Sequence, residues 1–220
     1  MHHKDTYILL GSAGSGKSTQ AELLKSSLHL AHIDIGAELR AVAAHDSPLG
    51  RKVNDVINNR HELLPDDIIH DVLENAIRAV PATAGVLIDG APRRESQIRD
   101  VLAVLKETDR ELNKVIFIDV PEAVSVERIS RRYACQNCKR TYILGKNLID
   151  SHMPCRYCKG VITQRQDDTE EGVRKRHQVF RNDTLPVIEY FKSSGHLLAV
   201  DGNQETYKVF KYILEHLRPE

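Results

Sequence analysis

Gly11-Ser12-Ala13-Gly14-Ser15-Gly16-Lys17-Ser18 carries the spacing G-x-x-x-x-G-K-[ST]. It follows the apolar run Tyr7-Ile8-Leu9-Leu10 and leads into Gln20-Ala21-Glu22-Leu23-Leu24-Lys25, the order strand, turn, helix. Gly11, Gly14 and Gly16 can take φ > 0 and let the backbone curl around an anion. A helix N-terminus just beyond adds unpaired N–H groups and a favourable dipole for phosphate. Lys17 can reach the outer phosphates of a nucleoside triphosphate, and Ser18 or Thr19 can turn a hydroxyl toward Mg²⁺. A flexible glycine turn is the plain alternative; it leaves the matching flanks unexplained.

The four cysteines form a second pattern: Cys135-x2-Cys138, then Cys155-x2-Cys158. Thiolates at that spacing fit a closed tetrahedral Zn²⁺ site, which staples a small segment and performs no catalysis. Such a segment has little core, so the metal can supply its folding energy. Two disulfides are the rival pairing, and fit poorly with a chain in which no secretion signal is expected. His152, between the pairs, is read as a bystander. Zinc ribbons can bind nucleic acid, and Lys139, Arg140, Lys146, Arg156 and Lys159 lie here, but a solvated basic face explains them more simply.

Phosphoryl transfer needs positioning and charge neutralisation more than covalent chemistry. Cations beyond Lys17 are therefore expected, from Arg40, Arg93, Arg128, Arg132, Arg165 and Arg176. Taken singly, each arginine is more often a surface residue. Arg128 and Arg132 are expected one helical turn apart on the same face. Asp89, after Val86-Leu87-Ile88, suits a carboxylate that holds Mg²⁺ through water; a turn or helix cap is its plainer reading.

Alternating elements must position these groups. Strands are expected at 6–10, 30–33, 86–90, 115–120 and 197–200, with helices at 17–28, within 36–79, and at 94–107, 122–132, 169–193 and 205–217. The long one should bend near Pro186. Residues 133–164 break the rhythm with short β-like runs. The alternation implies α/β architecture, a parallel sheet flanked by helices, with ligands outside the carboxyl ends of its strands. Gly11, Asp89, Asp119 and Asp201 lie at those ends. Lys+Arg and Asp+Glu are both 31, so a general nucleic-acid or membrane-surface binder, which needs a basic excess, is not indicated. No apolar run is long enough to span a bilayer.

With these residues in view, the sequence resembles the adenylate kinases and, more broadly, the nucleoside monophosphate kinases, over roughly 6–215. The resemblance is carried by Gly11–Gln20, His32–Arg40, Leu63–Asp66, Asp89-Gly90-Ala91-Pro92-Arg93 with Gln97, Arg128–Arg132, Arg165 to Asp168 through Arg176, and Val200-Asp201-Gly202. It implies a P-loop NTPase fold with core 1–33, 65–132 and 165–220, a monophosphate-binding (NMP) helical insertion at 34–64 and a small zinc-bearing lid at 133–164. Gly14, Ser15, Gly16, Lys17, Ser18 and Thr19 would cradle ATP phosphates, with Arg128 stacked on the ATP base and Gln204 near it. Lys17, Arg93, Arg132, Arg165 and Arg176 would neutralise the transferring phosphoryl group, Arg132 also on the ATP side and Arg165 and Arg176 also on the AMP side. Arg40 and Arg93 would hold the AMP phosphate. Gln97 would read adenine, beside Ile35, the backbone near Leu63 and Leu64, and Gly90. Asp167 and Asp168 would hold the lid or its arginines. Cys135, Cys138, Cys155 and Cys158 would bind Zn²⁺, and Asp89 would face Mg²⁺. The implied reaction is ATP + AMP ⇌ 2 ADP, in a cytoplasmic monomer with no nucleic-acid or membrane partner.

The departures cluster at the acceptor pocket. Ala13 stands where that family usually has proline, and Ser18 where it has glycine. Ile35 replaces a small or hydroxylated residue, Ala37 an acidic one, and Ala91 phenylalanine. Two rival readings follow: a kinase of the same fold with another acceptor, and a nucleotide-gated binding protein whose zinc ribbon holds a partner. A switch, however, needs no second phosphate pocket.

Overall fold

The computed structural model describes residues 5–138, 140–165 and 168–217. Lys139 and Asp167, both named above, lie outside the described residues. Five strands, β1 (Asp5–Leu10), β2 (Ala31–Asp34), β3 (Val86–Asp89), β4 (Glu111–Asp119) and β8 (Leu197–Asp201), form one sheet in the order β2-β3-β1-β4-β8. Every pairing in it is parallel. The sheet's middle strands are continuous apolar runs because helices cover both faces. On one face Ile8, Leu10, Ile33, Ile88, Val115 and Phe117 pack with α2 (Ile35–Ala43), α4 (Asp66–Arg78), α5 (Ser96–Glu107) and α8 (Leu185–Ser193). On the other, Tyr7, Leu9, Leu87, Ile116 and Ile118 pack with α1 (Lys17–Leu28) and α9 (Thr206–Leu217).

The expected strands and helices are present, with instructive shifts. β4 begins at Glu111, earlier than 115, because its first residues alternate exposed and half-buried and lack an apolar run. Helix α6 (Glu122–Ser130) stops before 132: Arg131 caps it, and Arg132 opens strand β5 (Arg132–Cys135). Arg128 and Arg132 therefore do not share a helix face, which corrects the one-turn expectation. The 36–79 stretch comprises α2, α3 (Pro48–Asn54) running into a π-helical turn at Asp55–Arg60, and α4. The 169–193 helix consists of α7 (Glu170–Val179), a π-helical turn at Phe180–Thr184 and α8. Pro186, in the first turn of α8, has no N–H for the preceding turn, and the widened turn sits just ahead of it.

Residues 132–164 form a separate antiparallel sheet, β6 (Thr141–Ile143)–β5–β7 (Ile162–Gln164). Its buried cluster is Cys135, Tyr142, Leu148, Cys155 and Ile162. Among the described residues no helix is long and apolar enough to cross a membrane.

Candidate active site

The carboxyl ends of the parallel strands converge on the loop after β1. Gly14 and Gly16 have φ of +79° and +105°, so both positions favour glycine. A Cβ at Gly14 would come 2.7 Å from the Ser125 carbonyl, whereas at Gly16 it would meet open space. The glycine is thus needed for packing at one position and for conformation at both. Helices α2, α3 and α7 begin with side-chain caps from Asp34, Ser47 and Thr169. Helix α1 has no side-chain cap and no acid in its first turn, which leaves its first N–H groups available to an anion. Lys17 Nζ donates to the Gly11 and Ser12 carbonyls at 2.7 and 2.9 Å, pulling these loop carbonyls toward one cation. Ser18 and Thr19 lie exposed in the first turn of α1.

Around this loop the structure gathers Lys17, Arg93, Arg132, Arg165 and Arg176. Burial lowers the Lys17 pKa to about 8; Asp89 and Asp34 oppose the shift, while Arg93 and Arg132 add to it. Burial likewise pushes the Arg93 pKa down, against Asp89 and Asp34 and with Arg176 and Arg165. Arg132 is lowered by burial too; its hydrogen bond to Asp168 resists, and Arg165 and Arg176 assist. Lys17 is thus set against Arg93 and Arg132, and these two arginines against Arg165 and Arg176, with Asp34, Asp89 and Asp168 interleaved as counter-charges. The Asp168 side chain is fully buried and takes hydrogen bonds from Arg132 Nε at 2.7 Å and Arg176 Nη2 at 2.8 Å. It fixes two guanidinium groups from different elements, α7 and β5. Arg93 Nε donates to the Gly90 carbonyl at 2.8 Å. Asp89 is 4% exposed at the end of β3, with His32 Nε2 3.8 Å from its Oδ2.

Arg128 donates to the Ser15 carbonyl (3.3 Å) and the Gly202 carbonyl (3.1 Å), so α6 ties the loop to the end of β8. Gln204 is exposed there, its amide 3.3 Å from Asp201. Across the site, Arg40 is 3.7 Å from Asp34. Ile35 is 2% exposed and packs in the larger apolar cluster with Leu39, Val56, Leu64 and Ala91. Gln97 is 3% exposed. Its Oε1 accepts from the Arg93 N–H at 2.7 Å, and its Nε2 donates to Asp66 at 2.7 Å, which leaves one amide hydrogen for another partner. Asp66 also holds Arg94, whose guanidinium donates to the Leu63 and Leu64 carbonyls. Sequence reasoning missed Arg94 and the roles of Asp34 and Asp66 in this network. Asp34 had a readable signal, an acid three residues before the Ala37 N–H that it caps at 2.9 Å. Arg94 had none, since its partners lie about thirty residues away.

The four cysteine sulfurs lie within 4.8 Å of one another, with Cys135–Cys158 at 3.4 Å and Cys138–Cys155 at 3.6 Å. All four are free thiols, so the disulfide alternative is not met. Zn–S bonds of about 2.3 Å in a tetrahedron require sulfurs about 3.8 Å apart, so this set fits the metal. At Cys155 burial opposes ionisation, but the Tyr142 hydroxyl and the backbone N–H groups of Cys158 and Tyr157 outweigh it and bring the pKa down to about 5. His152 is exposed, bonds Asp150 and stands outside the cluster.

A phosphate-type loop, converging cations at parallel strand ends and a separate four-cysteine sheet form a combination that comparison with known proteins resolves. The family model described as "Adenylate kinase" matches residues 9–196. The chain belongs to the adenylate kinase family. The adenylate kinase of Thermosipho melanesiensis is 38% identical over 211 residues, covering 96% of this chain and 98% of the relative. The adenylate kinase of Kosmotoga olearia is 36% identical over 210 residues, with 96% and 97% covered. That of Thermosipho africanus is 35% identical over 211 residues, with 96% and 98% covered. The chain is accordingly a phosphotransferase of the nucleoside monophosphate kinase type, and the rival binding-protein reading is set aside.

Proposed function

We propose that the chain catalyses ATP + AMP ⇌ 2 ADP with Mg²⁺ on the triphosphate, as a cytoplasmic monomer. The reading rests on the cations Lys17, Arg93, Arg132, Arg165 and Arg176 at the strand ends, where desolvation lowers the pKa of Lys17, Arg93 and Arg132. Mutually repelling cations are relieved when polyanions enter, and they stabilise charge that develops on a transferring phosphoryl group. In this reading residues 14–19 cradle the ATP phosphates, with Arg128 and Gln204 toward its base. Arg40 and Arg93 take the AMP phosphate, with Ile35, Leu63, Leu64 and Gly90 around the acceptor. Asp89 and a Ser18 or Thr19 hydroxyl suit a hydrated Mg²⁺, which supplies charge neutralisation at the phosphates. Residues 34–64 act as the monophosphate-binding part and 133–164 as a zinc-stapled lid, whose closure excludes water. Reduced cytoplasmic thiols remain available to zinc.

The remaining Gln97 amide hydrogen can meet an acceptor atom of the base, and the match to the adenylate kinases favours adenine among the bases that offer one. A coupled assay with MgATP and, separately, AMP, GMP, CMP and UMP tests this. ADP formation with AMP alone is expected. A clear preference for another acceptor would overturn the AMP assignment and locate the difference at Ile35 and Ala91.

A further inference from the structure

A polar side-chain pair is buried where helices α6 and α7 meet the phosphate loop. Ser125, in α6, is 0% exposed and donates its hydroxyl hydrogen to the Ala13 carbonyl. Its oxygen lies 2.8 Å from Nε2 of His177, in the last turn of α7. A serine has one hydrogen to give, and a carbonyl only accepts. Ser125 must therefore accept from His177, which fixes the His177 proton on Nε2. His177 is 4% exposed; burial lowers its pKa, Glu122 opposes, and Arg181 and Arg176 add to the lowering.

The neighbouring loop carbonyls are held as well, Gly11 and Ser12 by Lys17 and Ser15 by Arg128. In a trans peptide the C=O and the following N–H point in opposite directions. Turning the Ala13 carbonyl outward to Ser125 thus turns the Gly14 N–H inward, toward the anion. Gly14 sits against α6 with no room for a side chain.

We infer that Ser125 and His177 are a positioning pair for the triphosphate loop, holding the Ala13–Gly14 peptide in its anion-binding orientation. They touch no nucleotide and act through Ala13. His177 also follows Arg176 directly, so one helix end supplies a guanidinium to Asp168 and a donor to Ser125. This role presupposes that the loop binds a triphosphate.

Steady-state kinetics of the full chain, with MgATP and AMP varied in turn, test the role. Ser125→Ala should raise KM for MgATP about ten-fold, the cost of one buried carbonyl left without its donor, and KM for AMP by less than about two-fold. His177→Leu should raise KM for MgATP about three-fold. His177→Gln, whose amide can still donate to Ser125, should stay near wild type. Calorimetry with magnesium tripolyphosphate, which meets the loop without base contacts, should show the same ratios. Unchanged MgATP and tripolyphosphate affinity in a folded Ser125→Ala protein overturns the inference, as does an equal rise in both KM values. If Ser125→Ala does not fold, the His177 pair decides, and equal losses in Leu and Gln overturn it. Wild-type protein that binds no tripolyphosphate overturns the loop reading itself, and the positioning role with it.

Discussion

The cation cluster and the cysteine cluster are alike in crowding groups of one kind and opposites in support. One packs cations that suit an anionic guest, and the other packs thiols that lose their protons to a metal. The cations stand at the ends of a five-stranded parallel sheet between two apolar clusters. Asp168, Gly90 and the loop carbonyls hold them in place without a guest. The cysteines stand in a three-stranded sheet whose buried apolar cluster, among the described residues, has five members, two of them cysteines themselves. The first site is organised by the fold; the second has to help organise its own fold.

The sharpest way to separate these roles is to remove a cation. Lys17→Met should lower kcat by about a thousand-fold, as loss of a charge stabiliser in the transition state does. Its melting temperature should not fall by more than about two degrees, because the Lys17 hydrogen bonds given among the described residues go to loop carbonyls and burial already disfavours its charge. Comparable losses of turnover and stability would place Lys17 among the supports of the fold and break the comparison.

Removing a thiol should do the reverse. Cys135→Ser, or a strong zinc chelator, should abolish zinc binding at the four thiols and unfold the β5–β6–β7 sheet. That should lower turnover about ten- to hundred-fold while the parallel sheet keeps its amide-exchange protection. Unchanged metal content and melting would show that apolar contacts of Tyr142, Leu148 and Ile162 suffice for this sheet.

This contrast also explains what could be read in the sequence. Lys17, the loop glycines and the cysteine pairs were legible because their chemistry demands fixed local spacing. The parallel sheet was legible from apolar runs such as Val86–Ile88 and Val115–Ile118. Arg132 was misplaced because helix periodicity carries no mark of the turn at Arg131; the pairing of Arg132 with Ile143 decides it. The Ser125–His177 pair was invisible because both look like ordinary helix residues 52 positions apart. Ile35 was legible as a departure, but only the structure shows it sharing a core with Leu64 and Ala91.

A smaller effect tests whether the cations are held ready without their guest. Lys17 titrates near pH 8 in the folded protein, against 10.5 for an ordinary lysine, with burial as the main cause. Between those values the unfolded chain binds more protons at this position, so its contribution to stability rises with pH through that window and is flat below it. Function should move the other way. In the free protein kcat/KM for MgATP should fall above about pH 8, approaching ten-fold per pH unit, because kcat/KM reports the unliganded lysine. A bound triphosphate restores the charge on Lys17, so kcat should hold to higher pH. Lys17→Arg should remove the alkaline limb, whatever activity it retains. If kcat and kcat/KM fell together, Lys17 would feel the same field with and without nucleotide. The cations would then not be the unrelieved cluster that distinguishes this site from the cysteine one.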